Sequence, residues 1–401
     1  MTSNSNVEQR EFAEYVRRWL AENAPPPPPE RLPVLPIEVG AGPLRDYLQE
    51  WQRRCYDAGL IGADIPKEYG GGGHQGFQRI ANREMSLAGT PYMLNVVALS
   101  MAIPTILVHG TEEQKKRFVP AALRCDEIWC QGFSEPGAGS DLASAQTSAV
   151  QRGDEWLVNG HKVWTSLAHF ATWMILLART GRDDKYKGLT YFIVPIGGAK
   201  GVTVRPLIKM TGETGFNEVI FEDLEIGDEL RVDDVGKGWT VAMTTLLHER
   251  GGAESAGTGG GESIEDKVGA VIALAKRTQR DGKTAWDDPV LRDRILRIAI
   301  RAEALRQSAR RARVEPLTEH PMRLPLQSKL LMTELLQDLA AAALEVEGIG
   351  STLYLGDPAA PDGGRWPLAY MGSYGMTIAA GSNEIQRNIL GERVLGLPKS
   401  K

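Results

Sequence analysis

The change in hydrophobic spacing along this 401-residue sequence restricts its fold more than any other feature. Leu44, Leu48, Trp51 and Cys55 are spaced four, three and four residues apart, which predicts a helix with one buried face. Strand-like runs replace this spacing in the middle third, and helical spacing returns from Gly238 onward. The sequence therefore predicts an α+β protein with helical, β and helical units in that order.

The limits of these units follow from local signals. Thr111 to Gln114 form a capping box, which begins the last helix of the first unit. A chain of this length also exceeds the size of a single core. We predict an N-terminal helical domain at 1–127, a central antiparallel β-barrel or sandwich at 128–236 and a C-terminal helical bundle at 237–401.

The middle third contains runs rich in β-branched and aromatic residues, separated by glycine, proline or charged turns. Asn159-Gly160 is the dipeptide best suited to a type I′ turn, and it predicts a hairpin between Glu155–Val158 and His161–Trp164. The other predicted strands are Trp173–Ala178, Thr190–Val194, Val202–Val204 and Glu218–Phe221.

The last third carries the spacing of a helix bundle. Helices are predicted from Ser263, after the cap Asp288, and over Lys329–Glu347. The buried seam of the second of these helices is predicted to consist of Leu291, Ile295, Ile298, Ala302 and Leu305.

Three low-complexity segments are predicted to have structural roles. Pro25 to Pro29 cannot be helical and should form an extended spacer. Gly70 to Gly73 should form a tight turn, because no βαβ unit surrounds it and no Lys-Ser/Thr pair follows it. Gly251 to Gly261 is predicted to be a mobile loop without chemistry of its own.

Composition excludes several classes of function. A net charge of −5 and a pI near 5.8 argue against a nucleic-acid partner. No apolar run approaches the length of a membrane helix, and Met1 to Arg10 lack a secretory pattern, so we expect a soluble cytoplasmic protein. Cys55, Cys125 and Cys130 form no CxxC pair, so they predict neither a disulfide framework nor a zinc site.

Five motifs carry a family resemblance. In chain order they are Ile65–Gly71, Gly110–Gln114, Ser134–Asp141, Lys162–Ser166 and Ser382–Arg387. In this order they resemble the acyl-CoA dehydrogenase family over nearly the whole chain. The resemblance implies FAD as cofactor, an acyl-CoA substrate, and a β-barrel or sandwich between a helical domain and a four-helix bundle.

The Ser134–Asp141 segment combines small residues with a proline turn, so its backbone amides can approach a flat ligand closely. The alternative is a tight turn of purely structural role. The resemblance implies that Ser140 contacts FAD and also the phosphate or pantetheine part of acyl-CoA. It implies further flavin contacts at Gln131, Phe133, Ser134 and Gly139.

Trp164, Thr165 and Ser166 are the next candidates. An indole can cover one face of an isoalloxazine, and hydroxyls can donate to its N5 and O4 edge. The family often has Ile and Thr after the tryptophan, so Ser166 matches the hydroxyl position and Thr165 departs from the pattern. A tryptophan in a strand is otherwise more often a core residue.

Two C-terminal segments complete the implied cofactor site. Arg277 resembles the residue that reaches the flavin diphosphate of a neighbouring subunit, although Arg280 and Asp281 replace the family's usual Phe-Gly. The turn that resembles the family's flavin-contacting turn consists of Gly381, Ser382, Asn383 and Glu384.

The catalytic base is the main departure from the family. Many members carry a glutamate just before this glycine, where this chain has Ala380. Glu249 occupies a position that resembles the base of the isovaleryl-CoA dehydrogenase branch, so we expect Glu249 to be the base and Arg250 to bind substrate. A Glu-Arg pair at a helix end is otherwise most often a solvated pair. Glu384 is expected to have a structural role or to form a hydrogen bond on the flavin side, and Glu135 is expected to have a structural role in the turn beside Pro136.

The resemblance implies FAD-dependent oxidation of an acyl-CoA to the 2-enoyl-CoA, with electrons passing to an electron-transfer flavoprotein. The expected assembly is a homodimer or homotetramer, and a hetero-oligomer is the alternative. Two other functions stay open: a catalytically silent subunit that binds FAD and acyl-CoA, and an oxygen-using oxidase or hydroxylase.

Overall fold

The computed structural model describes residues 2–33, 35–251, 262–311, 314, 320 and 323–399. The chain divides into two compact units, residues 1–261 and 262–401. The first unit includes the helix that follows the β region, whereas the sequence-based limits place that helix in the third domain. The limits at 127 and 236 stay predictions.

The helices of the first unit precede and follow its strands. The capping box is confirmed, because the Gln114 amide donates to the Thr111 hydroxyl (3.2 Å) and the Thr111 amide donates to the Gln114 side chain (3.1 Å). The predicted buried stripe is confirmed at Leu44, Leu48, Trp51 and Cys55. The helices are α1 (Thr2–Asn23), α2 (Pro43–Asp57), α3 (Phe77–Leu87), α4 (Ile103–His109), α5 (Glu112–Arg124) and α6 (Gly238–Gly251).

The strands of the first unit form one eight-stranded sheet in the order β6-β7-β3-β2-β4-β5-β8, with β1 paired to β4. Most of its strand pairs are antiparallel, as expected, and the parallel contacts are those that β1 and β2 make with β4. The strands are β1 (Trp129–Gly132), β2 (Ser148–Arg152), β3 (Glu155–Ser166), β4 (Trp173–Arg179), β5 (Leu189–Pro195), β6 (Val202–Leu207), β7 (Phe216–Gly227) and β8 (Arg231–Val232).

The predicted hairpin at Asn159-Gly160 is wrong, because β3 runs without a turn through both residues. Asn159 instead bonds across to β7, where its side chain exchanges hydrogen bonds with Asp223 (both 2.9 Å). A Cβ at Gly160 would lie 2.4 Å from the Thr147 hydroxyl, so glycine serves close packing here. The hairpin turn lies at Gly153, where φ is +64°.

Successive side chains of β4 point alternately into two hydrophobic cores. Ile175 and Leu177 of β4 pack into a cluster with the helices, while Met174 and Leu176 pack into a cluster with β3 and β7. Both faces of β4 are therefore buried, which explains why its sequence is a continuous apolar run.

The second unit is a helical bundle with one short hairpin. Its predicted seam, Leu291, Ile295, Ile298, Ala302 and Leu305, is buried as expected. Asp288 caps its helix by accepting from the Val290 amide (2.9 Å). The elements are α7 (Ile264–Arg277), β9 (Gln279–Arg280), β10 (Lys283–Thr284), α8 (Pro289–Arg311), α9 (Arg323–Glu347), α10 (Arg365–Ile378) and α11 (Asn383–Ile389).

The other segments singled out in the sequence have simple outcomes. Pro25–Pro29 is non-helical, and Gly70–Gly73 forms a hydrogen-bonded turn, both as predicted. Apart from Gly251, the glycine-rich segment 251–261 lies outside the described residues. All three cysteines are buried and unpaired. Within the described ranges, no helix is long and apolar enough to cross a membrane.

Candidate active site

The Ser134–Asp141 segment forms a tight turn beside β3. Glu135 and Ala138 exchange two backbone hydrogen bonds of 3.0 Å. A Cβ at Gly139 would meet no atom within 4 Å, so the protein leaves open space above this glycine. A cavity of about 280 Å³ adjoins the turn, and its lining includes Gln146, Thr147 and His161. A ligand can therefore approach the backbone here closely.

The turn is fixed to the adjacent strands. The Val163 amide of β3 donates to the Ser134 carbonyl (2.9 Å). Glu135 accepts from the backbone amides of Gln146 (2.6 Å) and Thr147 (2.8 Å) just before β2. These bonds confirm the structural role expected for Glu135. The candidate segments 131–140 and 164–166, far apart in sequence, are thus adjacent in space.

Trp164 is presented to solvent by an irregularity in β3. The pairing of β3 with β7 shifts register between Lys162 and Thr165, and Trp164 between them has φ of +59°. Its indole is 59% exposed and meets the edge of Phe216, with ring centroids 5.8 Å apart. An exposed indole held in this way can stack on a flat ligand.

Several buried polar atoms near these segments lack a hydrogen-bond partner within the described part of the chain. Among them are Nε2 of Gln131, on β1, and Oγ1 of Thr165, on β3. Buried polar groups normally find a partner, so both atoms are fitted to a ligand with polar edges. The isoalloxazine ring of FAD has such edges, and in this respect the residues fit FAD.

The remaining candidate residues of these segments differ in how exposed their side chains are. The Phe133 side chain is buried and meets Tyr191 edge to face at 5.8 Å, so this side chain is committed to the core. Ser140 is exposed at the end of the turn, and Ser166 is half-buried at the end of β3. The neighbouring Asp141 pairs with Lys185 at 2.7 Å, which fixes the end of the turn.

Helix α6 carries the candidate base and is pinned to the rest of its unit. Thr245 lies at the centre of a buried hydroxyl cluster, 2.9 Å from Thr105 and 3.0 Å from Tyr191. Thr244 bonds to His109 (2.8 Å). These contacts fix the helix one turn before Glu249, which is half-buried.

His248 and Arg250 flank Glu249 on α6. Burial lowers the pKa of His248, so this imidazole is neutral at neutral pH and adds no positive charge beside the carboxylate. The side chain of Arg250, the predicted substrate ligand, lies outside the described residues.

The C-terminal turn is built in the second unit. Ala380 and Gly381 both have positive φ, of +55° and +83°. Lys329 donates to the Gly381 carbonyl (2.8 Å) and to the Asn383 side chain (2.9 Å), and Asn383 is buried. The Asn383 amide is therefore committed to the protein, whereas the backbone of the turn is held in a defined shape. Ser382 caps α11 by accepting from the Ile385 amide at 3.4 Å.

Glu384 follows this cap and is exposed. Hydrogen bonds from its own backbone amide and from the Ser382 hydroxyl lower the pKa of its carboxyl group. A carboxylate stabilised in this way is a poor base, which supports the structural role expected for it.

Arg277 is engaged within its own unit. Its guanidinium bonds both carboxylate oxygens of Asp362, which also accepts from the Trp366 indole (3.1 Å). An arginine paired in this way has fewer donors left for a diphosphate. The predicted inter-subunit flavin contact stays a prediction.

Glu347, at the end of α9, was not singled out by the sequence. Both of its carboxylate oxygens are buried and lack a partner within the described residues. Burial, together with the charge of Asp362, raises the pKa of Glu347 to about 7. A polar residue at a helix end gives no sign of this, because its burial depends on the packing of α7 and α10 around it.

The family models for the acyl-CoA dehydrogenase N-terminal, middle and C-terminal domains match residues 6–126, 130–224 and 236–395. The chain therefore belongs to the acyl-CoA dehydrogenase family, whose members are FAD-dependent oxidoreductases.

Among individual relatives, acyl-CoA dehydrogenase IpdE1 of Mycobacterium tuberculosis is 39% identical, over 97% of this chain and 98% of that protein. IpdE1 of Mycolicibacterium smegmatis is 37% identical, over 98% and 99%. Two solved structures are similar at 27% identity. The Tcur3481-Tcur3483 steroid ACAD G363A variant has a TM-score of 0.78, covering 98% of this chain and 100% of that chain. The ChsE4-ChsE5 complex from Mycobacterium tuberculosis has a TM-score of 0.76, covering 98% of both.

Proposed function

We propose that this chain catalyses the FAD-dependent α,β-dehydrogenation of an acyl-CoA thioester to the 2-enoyl-CoA, with Glu249 as the base. The observation that carries the proposal is the position of Glu249. It lies on a helix pinned through Thr245 to the same unit as the Ser134–Asp141 turn, while Ala380 occupies the family's more common base position. Of the residues at positions 249 and 380, only the glutamate at 249 can accept a proton.

The residues divide the work between binding and proton transfer. FAD, when bound, would supply the acceptor for the hydride that leaves the β-carbon. The turn and Gln131 would hold the flavin edge, Trp164 would cover one face, and the hydroxyls of Thr165 and Ser166 would donate to its polar edge. Glu249 would accept the α-proton on a carboxylate oxygen, and Ser140 with Arg250 would hold the CoA portion of the substrate.

Within the second unit, the Arg277 segment and the 381–384 turn are further proposed cofactor contacts. We propose that the backbone of Gly381 and the Ser382 hydroxyl reach FAD, with Asn383 and Glu384 supporting the shape of the turn. Arg277 would have to exchange its bond with Asp362 for a diphosphate oxygen. Its contribution is therefore weaker than that of the turn.

The proposed substrate is an acyl-CoA with a bulky, ring-bearing acyl group. The support is that a structural relative similar over 98% of this chain is described as a steroid ACAD. Electron-transfer flavoprotein is the proposed acceptor for the electrons, as the family resemblance implies, and we place the reaction in the cytoplasm.

Anaerobic titration tests the activity. Purified protein loaded with FAD would be mixed with straight-chain, branched and steroid-ring acyl-CoAs while the flavin absorbance is followed. We expect at least one ring-bearing acyl-CoA to bleach the flavin. Glu249→Gln should stay yellow and bind the same acyl-CoA, with bleaching slowed about 10²–10⁴-fold, because a general base contributes that much.

The matched control is Glu225→Gln, which neutralises an exposed carboxylate on β7 and should bleach at the wild-type rate. If Glu249→Gln also bleached at that rate, the base would lie elsewhere. Hydrogen peroxide formation in air would instead identify an oxygen-using relative.

A second candidate is a subunit that binds FAD and acyl-CoA without oxidising the substrate. Ala380 favours it, as does the similar structure that is described as the ChsE4-ChsE5 complex. In that case the pure protein would hold FAD without being bleached by any acyl-CoA, and bleaching would require a second chain. A homo-oligomer active alone would exclude this candidate.

A further inference from the structure

A buried ion pair lies directly under the Ser134–Asp141 turn. Lys162, on β3, has a side chain that is 0% exposed, and the side chain of its partner Glu135 is 9% exposed. The Lys162 ammonium donates to the Glu135 carboxylate (2.8 Å) and to the Phe133 carbonyl (3.0 Å). One buried cation therefore holds residues on both sides of Ser134.

The pair is costly if its only purpose is stability. Removing two charges from water is unfavourable, and an apolar pair of similar volume often serves a fold equally well. The contacts instead converge on one short piece of backbone. With the Val163 amide on the Ser134 carbonyl (2.9 Å), three consecutive residues, Phe133 and the first two of the turn, are held by β3.

The same strand continues into the indole and hydroxyl segment. Val163 separates Lys162 from Trp164 and Thr165, and the register shift that exposes Trp164 lies between Lys162 and Thr165. A change at Lys162 would therefore move the turn relative to these side chains. The pair sets the spacing between the two segments that the proposed function assigns to the flavin.

We propose that Lys162, through its buried pair with Glu135, is a positioning residue that fixes the turn at the spacing FAD requires. This inference rests on the proposed function, since it assumes that FAD occupies the site. Lys162 does not touch the reacting atoms and takes no part in proton transfer.

The charge on Lys162 gives the proposal a pH dependence. Burial lowers the pKa of Lys162 to about 8, against the opposing effect of Glu135. Glu135 is the charged group that faces it, from the turn, and the imidazole of the adjacent His161 lies 3.5 Å from the Glu218 carboxylate of β7. Above about pH 8 the neutral amine should hold Glu135 and the turn less firmly, so FAD affinity should fall.

Fold stability should respond in the opposite direction. Because the pKa of Lys162 is lower in the folded protein than the ordinary 10.5, the folded state binds fewer protons than the unfolded state between about pH 8 and 10.5. The contribution of this group to stability therefore rises with pH in that window. A fall in FAD affinity over this window would therefore not reflect a loss of fold stability caused by this group.

The test compares FAD dissociation constants of the apoprotein, measured by flavin fluorescence from pH 7 to 9, with its thermal midpoints. For the wild type we expect affinity to fall about 10-fold over this range without a parallel loss of thermal stability. Lys162→Met should bind FAD about 10-fold more weakly at pH 7, with a flat pH profile. Lys200→Met, at an exposed lysine of the same β region, should match the wild type.

Lys162→Met leaves Glu135 buried without its cation and could lower stability by itself. The double variant Lys162→Met/Glu135→Gln removes both charges and should recover thermal stability while FAD affinity stays low. Wild-type affinity in the double variant, or a flat wild-type pH profile, would overturn the positioning role. Failure of the wild type to bind FAD would instead overturn the proposed function.

Discussion

Glu347 shows how much the environment of one residue can differ from what its sequence suggests. Its carboxylate is buried without a partner among the described residues, and its pKa is raised to about 7. Gly160 is a second case, because its lack of a side chain serves contact with Thr147 and not a turn. Both residues lead to predictions that concern single side chains.

Glu347→Gln should stabilise the protein at high pH. The folded state holds a proton on Glu347 that the unfolded state has released above about pH 4.5. The stability that this proton contributes is fully present below pH 4.5 and is lost as the pH rises through about 7. Urea unfolding should therefore show the variant more stable than the wild type at pH 8 and similar near pH 4.5. Glu345→Gln, at an exposed ion pair with Arg294, is the control and should change little at either pH.

Gly160→Ala should destabilise the first unit by about 1–3 kcal/mol, the usual cost of overpacking. The new Cβ would lie 2.4 Å from the Thr147 hydroxyl and 2.6 Å from the Thr147 Cα, and the backbone cannot yield easily. The measurement is the free energy of unfolding in urea. Gly269→Ala on α7, where a Cβ meets nothing within 4 Å, should be neutral or stabilising. Equal stability of both variants would mean that β2 and β3 adjust at no cost.

At the scale of elements, α6 shows how a helix is placed by contacts that its own sequence does not reveal. Its buried threonine forms hydrogen bonds with α4 and β5, which are distant in sequence. The helices with capping boxes could be predicted because their signals are local. The Asn159-Gly160 hairpin could not be excluded locally, because the competing contact comes from Asp223 on β7.

Thr245→Val should loosen α6. The substitution keeps the shape of the side chain and removes a hydroxyl that bonds Thr105 and Tyr191, so unfolding should cost about 1–3 kcal/mol less. The rate at which acyl-CoA bleaches the flavin should fall by a larger factor than the affinity for FAD, because α6 carries Glu249. Thr240→Val, at an exposed position of the same helix, is the control. Unchanged stability and rate would show that the hydroxyl cluster does not hold the helix.

At the scale of the whole molecule, the order of helical, β and helical regions was predicted correctly, and the family comparisons agree with it. The division into compact units differs from the sequence-based limits, because α6 belongs to the first unit. Periodicity identifies an element, but it does not say which core receives its apolar face.

The sequence alone determined the family, the cofactor class, the main buried stripes and the absence of a glutamate at position 380, because local periodicity and ordered motifs encode them. Tertiary structure decided which distant residues meet. It brought Lys162 under the Ser134–Asp141 turn, left buried polar atoms of Gln131 and Thr165 without a partner among the described residues, and paired Arg277 with Asp362. These features depend on burial and on the partners that strand pairing and helix packing supply, and no local pattern specifies either.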